Sequence, residues 1–212
     1  MSIQFLTADP HFGHGNICLY CKRPWLRKED LSTDGLTFIS PEAALACAER
    51  MDAGLIHNCN ERVKPDDRVL CVGDFLNRGR AKGVMGLRTK YSDYLKALNG
   101  SWTLLRGNHD DQNKVKTTGD HMIGHWSHFK VFVSHYPTES VTHDPALMDY
   151  VHAYCDFTIC GHVHEAWKIK LIECGRKPLL NINVGLDQWN YRPVTIDEVV
   201  KYYIKEKKER GL

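Results

Sequence analysis

The chain has 212 residues, 42% hydrophobic and 25% charged, with a formal net charge of +2. That supplies core material for one domain of ordinary size, and too weak a charge bias to argue for nucleic-acid binding from bulk electrostatics. No apolar run approaches the ~20 residues that cross a bilayer, Met1 to Asp9 lacks the basic start of a signal peptide, and eight cysteines in a chain able to build its own core read as reduced thiols of a cytoplasmic protein.

Residues 3–8 read as a buried strand that stops at Asp9-Pro10-His11-Phe12-Gly13-His14-Gly15-Asn16, where proline and glycines make a loop. Residues 18–39 carry no clear period. They hold a basic patch (Lys22, Arg23, Arg27, Lys28) and a CxxC, Cys18 to Cys21. A structural zinc site needs a second pair of ligands; no second CxxC exists, so these read as two loop thiols. Ser40-Pro41-Glu42 opens a helix, with a hydroxyl N-cap, proline in the first position and an acid in the first turn. The helix is predicted over 41–60, with Leu45, Ala48, Met51 and Leu55 at helical spacing. A strand at 67–72 ends at Gly73-Asp74 and runs into a Gly- and Arg-rich loop, Asn77 to Arg80. A helix over 83–98 stops at Asn99-Gly100. The strand at 102–105 ends at Arg106-Gly107-Asn108-His109-Asp110.

Residues 111–121 are polar and loop-like. Two strands are expected within 122–133; the clearer, 129–133, is rich in β-branched and aromatic residues and leads to His135-Tyr136-Pro137, where proline ends the ladder. A short helix is predicted over 145–152, then a strand at 157–160 ending at Gly161-His162-Val163-His164. Segments 168–173 and 179–184 pair through Gly175, and an amphipathic helix spans 197–210. No repeat or linker interrupts the chain, so one domain, 1–212, is expected. Strands alternating with helices imply an α/β layered fold, with ligands beyond the strand ends.

Asp9, His11, Asp74, Asn108, His135, His162 and His164 collect at those ends: two carboxylates, one amide and four imidazoles. One divalent metal takes about four to six ligands, so this set suits two ions sharing a carboxylate, and imidazole with carboxylate suits Mn, Fe, Zn, Co or Ni.

Asp9-x-His11, Gly73-Asp74, Gly107-Asn108-His109-Asp110, His135 and Gly161-His162-x-His164 stand in the order of the calcineurin-like metallophosphoesterase superfamily, which the chain resembles over residues 9–164. Each motif is weak alone; together, each behind a predicted strand, they are specific. The resemblance implies a two-sheet β-sandwich flanked by helices, and two divalent ions, Mn first, with Fe, Zn, Ni and Co as alternatives. Asp9, His11 and His164 would bind one ion, Asn108, His135 and His162 the other, and Asp74 would bridge. His109 would assist the leaving oxygen, Asp110 would orient His109, and Arg106 would reach a phosphate oxygen. The activity implied is hydrolysis of a phosphate ester by a metal-bound hydroxide.

Protein phosphatases of the superfamily carry Asp-Arg-Gly after the bridging Asp and Glu after the Asn-His pair; here Asn77-Arg78-Gly79 and Asp110 stand instead. The Asn-His-Asp form is more similar to the superfamily's nucleases and cyclic-nucleotide phosphodiesterases, and the opening from Asp9 to Asn16 resembles small bacterial and phage members. The expectation is a phosphodiesterase acting on a nucleotide or short oligonucleotide. A phosphomonoesterase is the alternative; a non-enzymatic scaffold has no need of the intact ligand set and His109. His14, Asn16 and Arg78 are weighed as substrate contacts beside ordinary loop roles. His121, His125 and His128 read as strand-end or loop residues, and Trp25, Trp126, Trp167, Trp189 and Tyr191 as packing before base stacking.

Overall fold

The computed structural model describes residues 2–77, 90–140, 142–173 and 177–212. In chain order its main elements are β1 (Phe5–Thr7), α1 (Gly15–Tyr20), α2 (Pro41–Arg62), β2 (Arg68–Val72), α3 (Tyr91–Ala97), β3 (Ser101–Leu105), β4 (His121–Trp126), β5 (Phe129–Ser134), α4 (Pro145–Tyr154), β6 (Phe157–Cys160), β7 (Ile169–Ile172), β8 (Leu179–Asn183), β9 (Val194–Thr195) and α5 (Ile196–Glu209). They form two sheets, ordered β3-β2-β1-β9 and β4-β5-β6-β8-β7. Within the first, β1, β2 and β3 are parallel; within the second, β5, β6 and β8 are parallel. The edge strands β4, β7 and β9 are antiparallel.

The sheets face one another across a core. Leu6, Leu70, Val72 and Leu105 from one cluster with Val131, Val133, Phe157, Ile159 and Ile182 from the other. Alternate residues of the same strands point outward, because a strand's side chains alternate between faces. Phe5, Val69, Cys71 and Leu104 pack with Met51, Leu55 and Cys59 of α2, while Phe132 and Leu179 pack with Val151 at α4. The fold is a two-sheet sandwich flanked by helices. Burial on both faces is why the strands read as apolar runs rather than alternating patterns.

Local chemistry sets the helix starts. Ser40 Oγ accepts the Ala43 N–H at 3.2 Å and Pro41 follows; Asp144 Oδ1 accepts Leu147 N–H at 3.1 Å ahead of Pro145. Thr195 and Glu198 cap α5 reciprocally. Two elements escape sequence reading. Helix α1 lies in the segment read as loop; only Ile17 and Cys18 bury an apolar side, Cys18 against Met51. Strand β9 has two residues, too short for a period. Of the helix expected over 83–98, the structure gives α3, flanked by Lys90 and Leu98; residues 83–89, Arg78 and Arg80 of the preceding loop, and the Gly175 turn lie outside the described residues. Among the described residues no helix is long and apolar enough to cross a membrane.

Candidate metal centre

The three parallel strands of each sheet bring their C-terminal ends to one rim. Ala8, just past β1, bridges Gly185, just past β8, and Asp9 accepts the His162 N–H at 2.9 Å. All seven predicted donors meet there. Asp74 Oδ2 stands 3.5 Å from His11 Nε2 and 3.5 Å from His135 Nε2. Asn108 Oδ1 lies 3.0 Å from both His135 Nε2 and His162 Nδ1. Asp9 with His11 and His164, and Asp74 with His135 and His162, each place their donor atoms within 4.8 Å of one another; so do His11, Asp74 and His109.

The backbone is bent to make this possible. Asp9, His11, Asp74, His162 and His164 have φ of +57°, +50°, +53°, +70° and +45°, five of the ten non-glycine residues in that region among those described. Left-handed backbone costs roughly 1–2 kcal/mol per non-glycine residue and persists where function or surrounding structure demands it. Gly73, at φ +86°, passes so close to His135 that a Cβ would come within 2.7 Å of its Cγ.

Burial shapes the charges. It pushes the Asp9 carboxyl up to about 6, against the pull of His135 and His164. Burial opposes a proton on His135, but Asp74 and Asp9 outweigh it and carry the pKa up to about 9. Burial, with His164 and Arg23 nearby, drives His11 well below 6.5. Neither ring nitrogen of buried His11 has a hydrogen-bond partner, an arrangement that costs free energy unless something binds there. Converging carboxylate, amide and imidazole donors around a buried imidazole that makes no hydrogen bond fit divalent cations.

Some expectations need correction. Asp110 does not face His109. Its Oδ2 accepts the N–H groups of Asp74 (2.9 Å) and Gly107 (2.8 Å), and its Oδ1 that of Phe75 (3.0 Å). It is fully buried and splints the loops after β2 and β3. Arg106 is half-exposed on the rim, its Nε 3.2 Å from Asp120 and 3.6 Å from Asp111. His14 stands beside the centre, its ring 5.6 Å from that of His11, and burial pushes it down to about 4. Asn16 is exposed on α1 and lines a groove with Tyr20, Leu36 and Ile39 that includes none of the seven donors. Arg78 lies outside the described residues. Cys18 and Cys21 are both buried, and no donor cluster among the described residues holds the pair.

Three residues at the centre escaped sequence reading. Arg23 is buried and bonded to Asp187, which in turn meets His164 Nδ1 at 3.3 Å. Tyr136 packs its ring 5.1 Å from that of His135 and 4.8 Å from that of His162. Asp187 follows β8 as the donors follow their strands, so the same signal was present; nothing in the basic run singles out Arg23.

Sandwich, strand-end donors and buried acid–imidazole cluster together fit a metal-dependent phosphoesterase. Residues 49–194 match the model of the calcineurin-like phosphoesterase superfamily domain, and the chain belongs to that superfamily. It is 29% identical to the uncharacterized protein MJ1445 of Methanocaldococcus jannaschii over 211 residues, 98% of this chain and 95% of that one. Among solved structures, the protein of unknown function AQ665 from Aquifex aeolicus shares the fold with a TM-score of 0.59 at 21% identity, covering 95% of this chain and 100% of that one. A novel archaeal phosphodiesterase matches with a TM-score of 0.37 at 16% identity, covering 85% of this chain and 82% of that one.

Proposed function

We propose that the chain is a phosphodiesterase that works with two divalent ions, Mn first, on a nucleotide or short oligonucleotide. The observation that carries this reading is Asp74 Oδ2, 3.5 Å from an imidazole of each donor group. Asp9, His11 and His164 would hold one ion, Asn108, His135 and His162 the other, with Asp74 between them. When bound, such a pair supplies Lewis-acid charge and lowers the pKa of a water.

The chain's own residues do the rest. His109 keeps its side chain 36% exposed, with Nε2 3.9 Å from Asp74 Oδ2. Its N–H donates to Asp74 Oδ1 at 2.9 Å, which ties it to the bridging carboxylate. From there it would protonate the leaving oxygen. Arg106 would meet a non-bridging phosphate oxygen at the rim. Its charge is shared with Asp111 and Asp120, which disfavours a dianionic monoester more than a singly charged diester. The cavity beside Asn108, about 410 Å³ and bounded by Arg106, Tyr136, His121 and His143, is of a size that takes a small ligand such as one nucleoside. In this reading the chain is one domain, 1–212, of the reducing cytoplasm, where the seven described cysteines stay free.

Hydrolysis of bis-p-nitrophenyl phosphate against p-nitrophenyl phosphate tests it, with metal-stripped protein given Mn, Ni, Co, Zn or Mg in turn. The expected result is diester preference, lost in His109→Ala. Monoester preference would establish a phosphomonoesterase. Silence on both, with two ions bound, would favour a scaffold.

A further inference from the structure

Resting on the two-ion reading, we infer that the buried Arg23–Asp187 pair is a positioning device for one of the two ions, the one held by Asp9, His11 and His164. Arg23 is 1% exposed. Its guanidinium sends Nε to Asp187 Oδ1 at 2.9 Å and Nη2 to Asp187 Oδ2 at 2.8 Å. Nη2 also donates to the Asp9 carbonyl at 2.8 Å, and Nη1 to the Pro10 carbonyl at 3.0 Å and to Met51 Sδ at 3.4 Å. A guanidinium has five N–H groups in a rigid fork, and each has an acceptor here.

These contacts bear on the turn from Asp9 to His11 and, through Asp187, on His164. The carbonyls of Asp9 and Pro10 lie in the turn that carries Asp9 and His11 at positive φ, so Arg23 clamps the turn in that conformation. Asp187 lies beyond β8 in the other sheet and takes the Nδ1–H of His164 at 3.3 Å. With that proton committed, Nε2 of His164 keeps its lone pair for a cation, and the carboxylate behind the ring strengthens it as a donor. Stability alone is a poor account of the pair, because an apolar replacement of a buried ion pair is often as stable.

The second donor group has separate support. His135 Nδ1 meets the Val72 carbonyl at 3.0 Å, and its Nε2 faces Asn108. A backbone carbonyl orients His135 in one group, and the Arg23–Asp187 pair orients His164 in the other. The effect of losing Asp187 is therefore one-sided. Cys21 also clusters with His164 and Asp187, but the guanidinium already neutralises Asp187 and repels a third cation.

The test is Mn(II) titration of the metal-stripped full chain by calorimetry, with electron paramagnetic resonance of the pair. Wild type is expected to bind two ions per chain with an exchange-coupled signal. Asp187→Asn, close in shape, is expected to weaken one ion about 10–100-fold and leave the other unchanged, so that one equivalent gives only a single-ion spectrum. Arg23→Lys, which cannot make the fork, is expected to do the same, and excess Mn(II) should restore turnover in both. Fewer than two ions in wild type would overturn the two-ion reading itself. Two ions in wild type with both affinities kept in Asp187→Asn would overturn this inference alone, even if the melting temperature fell. Equal weakening of both ions, or a third ion lost with Asp187, would also overturn it.

Discussion

Gly107 lies against Asp74: a Cβ at Gly107 would stand 2.8 Å from Asp74 Cγ and nearer still to its Oδ1 and backbone nitrogen. A methyl group there must push the carboxylate that faces both donor groups, and the backbone behind it. Gly107→Ala is expected to cost roughly 1–3 kcal/mol of stability, as overpacking does, and to cut metal-dependent kcat/KM about 100-fold or more, since displacing a reacting group by about 1 Å has that effect. Urea unfolding and hydrolysis of an aryl diester check the two together. A wild-type rate would mean that Asp74 need not be held where it is.

Asp110 gives a second prediction, and a different one from its sequence reading. Three backbone N–H groups converge on its carboxylate from the loops that carry Asp74 and Asn108. In Asp110→Asn one oxygen becomes an NH₂ that cannot accept. The metal-free protein should lose about 1–3 kcal/mol, the cost of leaving a buried N–H without its acceptor; burial already holds the Asp110 carboxyl above its ordinary value, so the loss is of the acceptor rather than of the charge. If Asp110 acted through His109, metal-free stability would hold and only the rate would fall.

The contrast shows what the sequence carried. Each donor follows a strand whose apolar run is visible, so Asp9, Asp74, Asn108, His135 and His162 could be placed on one rim before any geometry was known. Which oxygen or ring faces which partner depends on the φ of single residues and on loops crossing between sheets, and these leave no periodic trace. Asp110 and Asp187 are both acids after strands; only the fold separates a backbone splint from a partner of His164. Arg23 sits in a run with Lys22, Arg27 and Lys28, and the partners that bury it, Asp9, Pro10, Met51 and Asp187, come from three separate stretches of the chain.

His109 is tied to Asp74 through its backbone while its ring stays partly exposed. His109→Ala is expected to leave metal-free stability within about 0.5 kcal/mol and metal stoichiometry at the wild-type value. Its kcat should fall about 10²–10⁴-fold, the usual contribution of a general acid, with KM little changed. His109 Nε2 also lies near Asp74 and His11. Loss of a bound ion in the variant would make His109 a ligand instead.

Glu198 sets the pH dependence at the far end of the chain. Its side chain accepts from the Thr195 N–H at 2.8 Å and meets Arg62 Nη2 at 2.8 Å. Burial opposes ionisation, but the Thr195 and Arg62 bonds outweigh it and hold the carboxyl below its ordinary 4.5. A carboxyl lowered on folding adds stability that is complete above the unfolded pKa and fades as pH falls through the folded one. Glu198→Gln retains a capping oxygen and loses only the charge. The variant should be less stable by about 0.5–1 kcal/mol at pH 7, the range of an exposed ion pair, and equal to wild type near pH 2–3. Thermal unfolding of both across that range checks it; a gap that stays constant into acid would show that Glu198 acts through shape and not charge.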